Sequence, residues 1–271
     1  MVKILCPTDF SEAAEQAVTY AAQLARKAEG EITLLNVQSL SALSPVEVIR
    51  GKRMSLKAAE DRLEDQCNEI TKVFKIPAYG AVETTKRSFA DRMARKSAEY
   101  DLIVMGTNES NDHHQFFFGS KAYQVVKESF VPVLLVPEGC IFHPVSVIVF
   151  AFDYEQERKL PIIQLTQWAK LLSSTICVLQ VDKIPATLET EQIAMAMQRQ
   201  IKFYHDHVSI HFDTIYSDDL TETINEYVIR SGADILALCT THHTFIEKLF
   251  HRSVIKSVSA IARYPVFIFH Q

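Results

Sequence analysis

The sequence predicts an α/β fold that occurs twice: two doubly wound parallel sheets of five strands each, in tandem. Apolar runs of strand length alternate with amphipathic stretches of helix length, the order that gives right-handed crossovers and parallel strands. The stretch Asp101–Val125 also has a copy at Asp234–Val258, and the strands that follow the two copies correspond as well. A repeat of this length indicates two domains of one fold, not a row of short units.

The first half supports this prediction element by element. Ser11 is a suitable N-cap for a first helix with a wide, alanine-rich apolar face, and Gly30 ends that helix. The second strand, Ile32–Val37, is apolar almost throughout, as in a strand covered on both faces. The other strands are predicted at Val2–Cys6, Ala78–Val82, Leu102–Met105 (ended by Gly106) and Pro132–Val136, and the other helices at Val46–Phe74, Ser88–Glu99 and Gly119–Ser129.

The second half repeats the plan, so residues 1–138 are predicted to form one domain, 139–144 a linker and 145–271 the other domain. Its strands are predicted at Val145–Phe152, Thr175–Val181, Val208–Tyr216, Ile235–Leu238 and Val266–Phe269, and its helices at Glu155–Ser173, Leu188–His207, Asp219–Ser231 and Arg252–Arg263. In such sheets a ligand binds beyond the carboxyl ends of the strands, where the strand order reverses. In the first domain that edge carries Asp9, Val37 and the loop after Gly106.

Composition excludes several classes of protein. The net charge is −5 and neither half has clustered Lys and Arg, which excludes a module that grips a nucleic-acid backbone. No apolar run approaches the roughly 20 residues that span a bilayer, and the N-terminus lacks the zones of a signal peptide, so we expect a cytoplasmic protein without membrane association. The five cysteines are dispersed, which predicts reduced and mostly buried thiols.

Several motifs follow one another along the first half: Pro7-Thr8-Asp9-Phe10-Ser11 after the first strand, Ile-Thr-Leu-Leu-Asn-Val in the second, Asp101-Leu-Ile-Val-Met-Gly-Thr, Gly119-Ser120, and Pro132-Val-Leu-Leu-Val-Pro137. In this order they resemble the universal stress protein family. The second half keeps the order of these motifs, although its residues match them less well, so the whole chain resembles a tandem member of the family. The resemblance implies a Rossmann-like fold that binds adenine nucleotides, often as a dimer, in cytoplasmic stress-response proteins.

The resemblance also implies a nucleotide site in the first domain. Nucleotide-binding members carry Gly-x2-Gly-x9-Gly-Ser/Thr after the fourth strand, and the spacing is intact here, with Glu109 where the second glycine belongs. Asp9 would meet the ribose or adenine, Val37 would offer backbone bonds to the adenine, and Gly119 with Ser120 would hold phosphate. The implied site for ATP or AMP consists of Pro7, Thr8, Asp9, Val37, Gly106, Gly119 and Ser120.

Glu109 is the departure that weakens this site. A glycine there would allow positive φ and a close approach of the backbone to phosphate, whereas glutamate adds a Cβ and a negative charge. Like charges about 4 Å apart repel by roughly 4 kcal/mol at an effective dielectric constant near 20, unless the side chain turns into solvent. The same register in the second half gives Cys239, His242, Arg252 and Ser253. Because every motif glycine is lost and only Asp153 and Ser253 keep polar positions, that half is predicted to keep the fold without the site.

Other patterns give weaker hypotheses. The pairs His113-His114 and His242-His243 lie in equivalent loops, but adjacent residues rarely both bind zinc, so they are interpreted as solvated loop histidines, with a metal site as the alternative. Phe116-Phe117-Phe118 is interpreted as packing over the sheet edge, with a nucleotide lid or a partner surface as the alternative. No catalytic motif is present, so no catalytic residues are predicted.

Three functions follow from these patterns. The first is a non-catalytic, cytoplasmic stress-response regulator that binds an adenine nucleotide weakly in its first domain. The second is a structural or partner-binding tandem module without nucleotide, and the third is a slow ATPase or metal-dependent hydrolase. The apolar last strands, Val131–Pro137 and Tyr264–Phe269, also predict an intrachain pseudo-dimer with an approximate two-fold axis, because sheet edges are normally covered or paired. The sequence leaves a further homodimer and the protein partners open.

Overall fold

The computed structural model describes residues 1–39, 45–107, 119–152, 161–182, 195, 208–240 and 264–270. The chain divides into two compact units, the first ending at Phe142 and the second beginning at His143. The helices predicted at 188–207 and 252–263 lie outside the described residues, apart from Met195 in the first of them, as does the first part of the helix predicted at 155–173.

The first unit is a doubly wound α/β sheet. Its elements are β1 (Lys3–Pro7), α1 (Glu12–Lys27), β2 (Glu31–Ser39), α2 (Pro45–Phe74), β3 (Ala78–Thr85), α3 (Phe89–Ser97), β4 (Leu102–Thr107), α4 (Gly119–Glu128) and β5 (Val133–Pro137). The strand order is β3-β2-β1-β4-β5, and all neighbours are parallel. The order reverses between β1 and β4, which places a crevice beyond the carboxyl ends of these two strands.

The second unit repeats this sheet. Its described elements are β6 (Val147–Phe152), α5 (Ile162–Leu172), β7 (Thr175–Asp182), β8 (Ile210–Tyr216), α6 (Leu220–Ser231), β9 (Ile235–Thr240) and β10 (Val266–His270). The strand order is β8-β7-β6-β9-β10, again parallel throughout. The predicted fold class, two parallel five-stranded sheets in tandem, is therefore confirmed.

The same pair of hydrogen bonds occurs within each unit, at the start of its central strand. The amide of Lys3 donates to Asp101 Oδ2 at 2.8 Å, and the amide of Val147 donates to Asp234 Oδ2 at 3.0 Å. In return, the Asp101 amide donates to the carbonyl of Lys3 and the Asp234 amide donates to the carbonyl of Val147, both at 2.9 Å. This reciprocal pair joins β1 to β4 and β6 to β9, so the internal repeat holds at the level of single hydrogen bonds.

Helix α1 packs closely on the first sheet because its inner face is made of small residues. Ala17, Ala21, Ala22 and Ala25 are fully buried, with Leu24 beside them. The predicted N-cap is confirmed: Ser11 Oγ accepts a hydrogen bond from the amide of Ala14 at 3.3 Å. Alanine has the best helix propensity and allows the backbone of the helix to approach the strands.

The segment after β5 folds back onto α1. The Gly139 amide donates to Gln16 Oε1 at 2.6 Å, and the rings of Tyr20 and Phe142 make an edge-to-face contact with centroids 4.9 Å apart. Part of the predicted linker is thus anchored on the first unit. No helix in the described ranges is long and apolar enough to cross a membrane.

Candidate functional site

The first unit offers one edge for a ligand, at the carboxyl ends of β1, β2 and β4. Pro7 ends β1 and pairs with Leu35 of β2, and the next amide, that of Thr8, donates to the Leu35 carbonyl at 3.0 Å. Pro7 and Thr8 are both buried, whereas Asp9 is exposed. The chain therefore leaves the sheet at Thr8, and Asp9 is the first side chain beyond the core.

A turn with three side-chain contacts connects β1 to α1. Thr8 Oγ1 accepts from the amide of Phe10 at 3.0 Å, Asp9 Oδ1 accepts from the amide of Ser11 at 3.1 Å, and Ser11 in turn caps α1. Such Asx- and Ser/Thr-type contacts satisfy backbone donors that neither the strand nor the helix can satisfy. The turn from Thr8 to Ser11 is consequently fixed without any ligand.

Asp9 is held in its ionised form. Its partial burial raises the pKa of the carboxyl, but contacts with the hydroxyl and amide of Ser11 and the positive charge of Lys121 outweigh this, so the pKa lies below its usual value. Lys121 lies in the first turn of α4, with its side chain exposed. An acceptor at Asp9 and a cation at Lys121 thus share the same edge.

Asn36 of β2 is a member of this edge that sequence reasoning missed. Its side chain is buried, with 7% exposed, and Nδ2 donates to the carbonyl of Thr8 at 2.8 Å. Gln38 Nε2 donates to Asn36 Oδ1 at 3.3 Å. The amide therefore holds the turn against the end of β2, next to the partly exposed Val37. An asparagine in an otherwise apolar strand was the signal that would have identified it.

Gly106 has a packing role in the structure. The prediction that β4 ends at this glycine is wrong, because the strand continues to Thr107 and Gly106 pairs with Val136 of β5. A Cβ on Gly106 would lie 2.2 Å from the carbonyl oxygen and 2.6 Å from the carbonyl carbon of Ala13. Both atoms belong to the backbone of α1, so the glycine is required for the helix to reach the sheet.

The phosphate end of the implied site is described in part. Gly119 and Ser120 are the first residues of α4, as predicted, and they begin the helix at the carboxyl edge of the sheet. Glu109, the pair His113-His114 and the cluster Phe116-Phe117-Phe118 lie outside the described residues, so the predictions about them remain predictions.

The matching edge of the second unit has different contacts. Gln180 of β7 occupies the sheet position of Asn36, but its Nε2 donates to Asp182 Oδ2 of its own strand at 2.6 Å. Asp182 adds a carboxylate where the first unit has Gln38. Cys239, at the position of Gly106, is fully buried in β9. Four other predicted positions of this edge lie outside the described residues: Asp153, His242, Arg252 and Ser253.

The thiols agree with the sequence prediction. None of the five cysteines is in a disulfide; Cys6, Cys67 and Cys239 are buried, and Cys140 and Cys177 are half-buried. Burial raises the pKa of the Cys67 thiol to about 11 and that of Cys6 further, so both remain protonated at neutral pH. Within the part of the chain that is described, no group of three or more His, Cys, Asp and Glu residues has the arrangement of a metal site.

Comparison with known proteins gives the family. The model of the universal stress protein family matches residues 1–137. A universal stress protein from Methanocaldococcus jannaschii is 26% identical over 141 residues, which cover 49% of this chain and 81% of that protein.

Solved structures agree on the fold over almost the whole chain. A universal stress protein from Archaeoglobus fulgidus aligns with a TM-score of 0.73 at 17% identity, covering 99% of this chain and 98% of the other. A putative universal stress protein from Pseudomonas aeruginosa aligns with a TM-score of 0.61 at 14% identity, covering 99% and 92%. On the family match to its first half, this chain belongs to the universal stress protein family.

Proposed function

We propose that the first unit binds an adenine nucleotide weakly and that the chain acts as a non-catalytic regulatory protein of the stress response. The observation that carries the proposal is the fixed turn from Thr8 to Ser11, which presents an exposed, ionised Asp9 where the strand order reverses. A carboxylate held in this way accepts hydrogen bonds from ribose hydroxyls or from the adenine amino group. Because the turn is already ordered, little conformational entropy is lost on binding.

The remaining predicted residues provide the two ends of this proposed site. Val37, partly exposed two residues before the end of β2, offers backbone groups to the adenine next to Pro7 and Thr8. Gly119 and Ser120 begin α4, and the first amides of a helix have no partner within the helix, so they suit a phosphate. The proposal requires Glu109 to limit affinity for nucleotides with more phosphates, which favours AMP over ATP.

Asp9 is poorly suited to act as a general base, which favours binding over catalysis. An efficient base has a pKa close to the working pH, and the pKa of Asp9 lies below the usual carboxyl range. This lowered pKa disfavours the third hypothesis, a slow ATPase that uses this carboxylate.

One observation favours the alternative of a partner-binding module without nucleotide. Gly106, a motif glycine, is explained by the packing of Ala13 against β4 and needs no ligand to account for it. In the second unit, Gln180 donates to Asp182 instead, so the same edge of this fold also forms with different hydrogen bonds. If nucleotide does not bind, this module is the function that the structure supports.

Calorimetric titration with AMP and ATP tests the proposal, with Asp218→Asn as the control because Asp218 is an exposed aspartate of the second unit. We expect binding weaker than about 1 μM for the wild type, a loss of about tenfold or more in Asp9→Asn, and no change in the control. Asp182→Asn should also leave binding unchanged, because the proposed site lies in the first unit. Absence of binding at millimolar AMP, together with no nucleotide released from the purified protein in mass spectrometry, would refute the proposed nucleotide site and favour the partner-binding module.

A further inference from the structure

Phe10, the residue between Asp9 and Ser11, has an unusual backbone conformation. Its φ is +63°, in the left-handed region that side chains other than glycine seldom adopt. A residue stays in this conformation only where surrounding contacts determine it. On the N-terminal side these contacts are known, since the Phe10 amide donates to Thr8 Oγ1 and Asn36 holds the Thr8 carbonyl.

Arg62 of α2 supplies the contacts on the other side of Phe10. The guanidinium carbon lies 4.5 Å from the centroid of the Phe10 ring, a cation–π distance. Nη2 donates to the Phe10 carbonyl at 3.4 Å and pairs with Glu15 Oε1 at 2.8 Å. One side chain therefore connects α2 to the first turn of α1 and covers the ring and the carbonyl of the left-handed residue.

We infer that Arg62 is a positioning residue for the ligand edge, which is the edge formed by the carboxyl ends of β1, β2 and β4. It holds Phe10 in its left-handed conformation and thereby keeps the Asp9 carboxylate in place. The inference rests on the proposed nucleotide site for its functional meaning. Its structural part does not depend on a ligand. Asp9 and Ser11 flank Phe10, and the Ser11 amide donates a hydrogen bond to Asp9 Oδ1 across it. A change of φ at Phe10 moves the Ser11 amide relative to Asp9, whereas Asn36 and Thr8 keep the other side of the turn fixed.

The inference predicts a specific rescue. Glycine adopts positive φ about as readily as negative φ, so Phe10→Gly removes the need for Arg62 at this turn. Arg62→Ala alone should loosen the turn, Phe10→Gly alone should change it little, and the double variant should recover. Loss of packing between α1 and α2 would give no such recovery, because glycine at position 10 adds no contact.

The test uses the full chain and two readouts, only one of which needs nucleotide. Amide exchange at Ser11, followed by NMR, should accelerate about tenfold in Arg62→Ala, a factor that matches releasing one left-handed residue. The same variant should raise the pKa of Asp9 toward its usual value and weaken AMP binding about 3- to 10-fold, since one acceptor becomes less ordered. The double variant with Phe10→Gly should return all three to near wild-type values.

Arg95→Ala is the matched control, because Arg95 is an exposed arginine of α3 in a single ion pair with Asp91. It should leave Ser11 exchange, the Asp9 pKa and AMP binding unchanged. If Arg62→Ala does not fold, Arg62→Gln, which keeps the stem and loses the charge, takes its place. Unchanged Ser11 exchange, or no recovery in the double variant, would overturn the role of Arg62. A wild type that does not bind AMP would refute the proposed function alone, since Ser11 exchange still decides the role of Arg62.

Discussion

Gly106→Ala should destabilise the first unit in the absence of any ligand. The added Cβ would lie 2.2 Å from the carbonyl oxygen of Ala13 and 3.1 Å from the amide nitrogen of Ala14. Neither is the end of a flexible side chain, so the first turn of α1 or the end of β4 must move. Overpacking of this kind costs about 1–3 kcal/mol, which is a large fraction of the stability of one domain.

The assay is thermal unfolding of the wild type and the variant without nucleotide, with exchange of the β4 amides as a local measurement. For a domain of this size, 1 kcal/mol lowers the midpoint by about 2–4 °C, so we expect a decrease of several degrees. Gly80→Ala is the control, because its Cβ would approach no atom more closely than Leu63 Cβ, at 3.0 Å, on the edge strand β3. Its effect should be smaller.

The result also separates two reasons for having glycine at this position. If Gly106→Ala unfolds at the same temperature as the wild type and loses only nucleotide affinity, the glycine serves the ligand and the packing argument is refuted. If the unfolding temperature falls in the absence of nucleotide, the glycine serves the contact between α1 and β4. A further loss of AMP affinity would then follow through Ala13, which lies in the first turn of α1, two residues after Ser11.

Three further predictions concern the ligand edge. Asn36→Ala should cost about 1–3 kcal/mol of unfolding free energy, because it leaves the buried Thr8 carbonyl without its donor, and denaturant unfolding measures this. Asp9 contributes stability above its unfolded pKa and loses it as the pH falls through its lowered folded pKa, so the stabilities of wild type and Asp9→Asn should converge below about pH 4. Glu109→Gly should raise the affinity for ATP more than that for AMP in calorimetry, since the repulsion grows with the charge of the nucleotide. Equal gains in affinity would show that Glu109 does not limit binding through its charge.

The order of elements was predictable because local patterns encode it. Alternating apolar and amphipathic stretches gave the parallel sheets, and the Ser11 cap followed from residue type and position, as the hydrogen bond to Ala14 confirms. Strand ends were less predictable. The continuation of β4 through Gly106 to Thr107 depends on pairing with Val136 and Pro137, which are remote in sequence.

The candidate site was predictable only as far as its motif residues. Asn36 could have been recognised, because a buried amide in an apolar strand needs a partner. Arg62 could not, since in the sequence it is one of many charged residues on a helix that resembles a solvated face. Its contact with Phe10 arises only when α2 packs beside α1, and the positive φ of Phe10 is not visible in a phenylalanine followed by a serine.

The two units separate what the fold requires from what the ligand edge requires. The reciprocal hydrogen bonds of Asp101 and Asp234 are the same in both, so this contact between neighbouring strands belongs to the shared fold. The amides at the edge differ: Asn36 holds the β1 turn, whereas Gln180 holds Asp182 in its own strand. A sheet of the same strand order forms with either arrangement, so the contact from Asn36 to Thr8 is not common to the two units. In the first unit it lies beside the ionised Asp9, at the edge to which we assign the proposed nucleotide site.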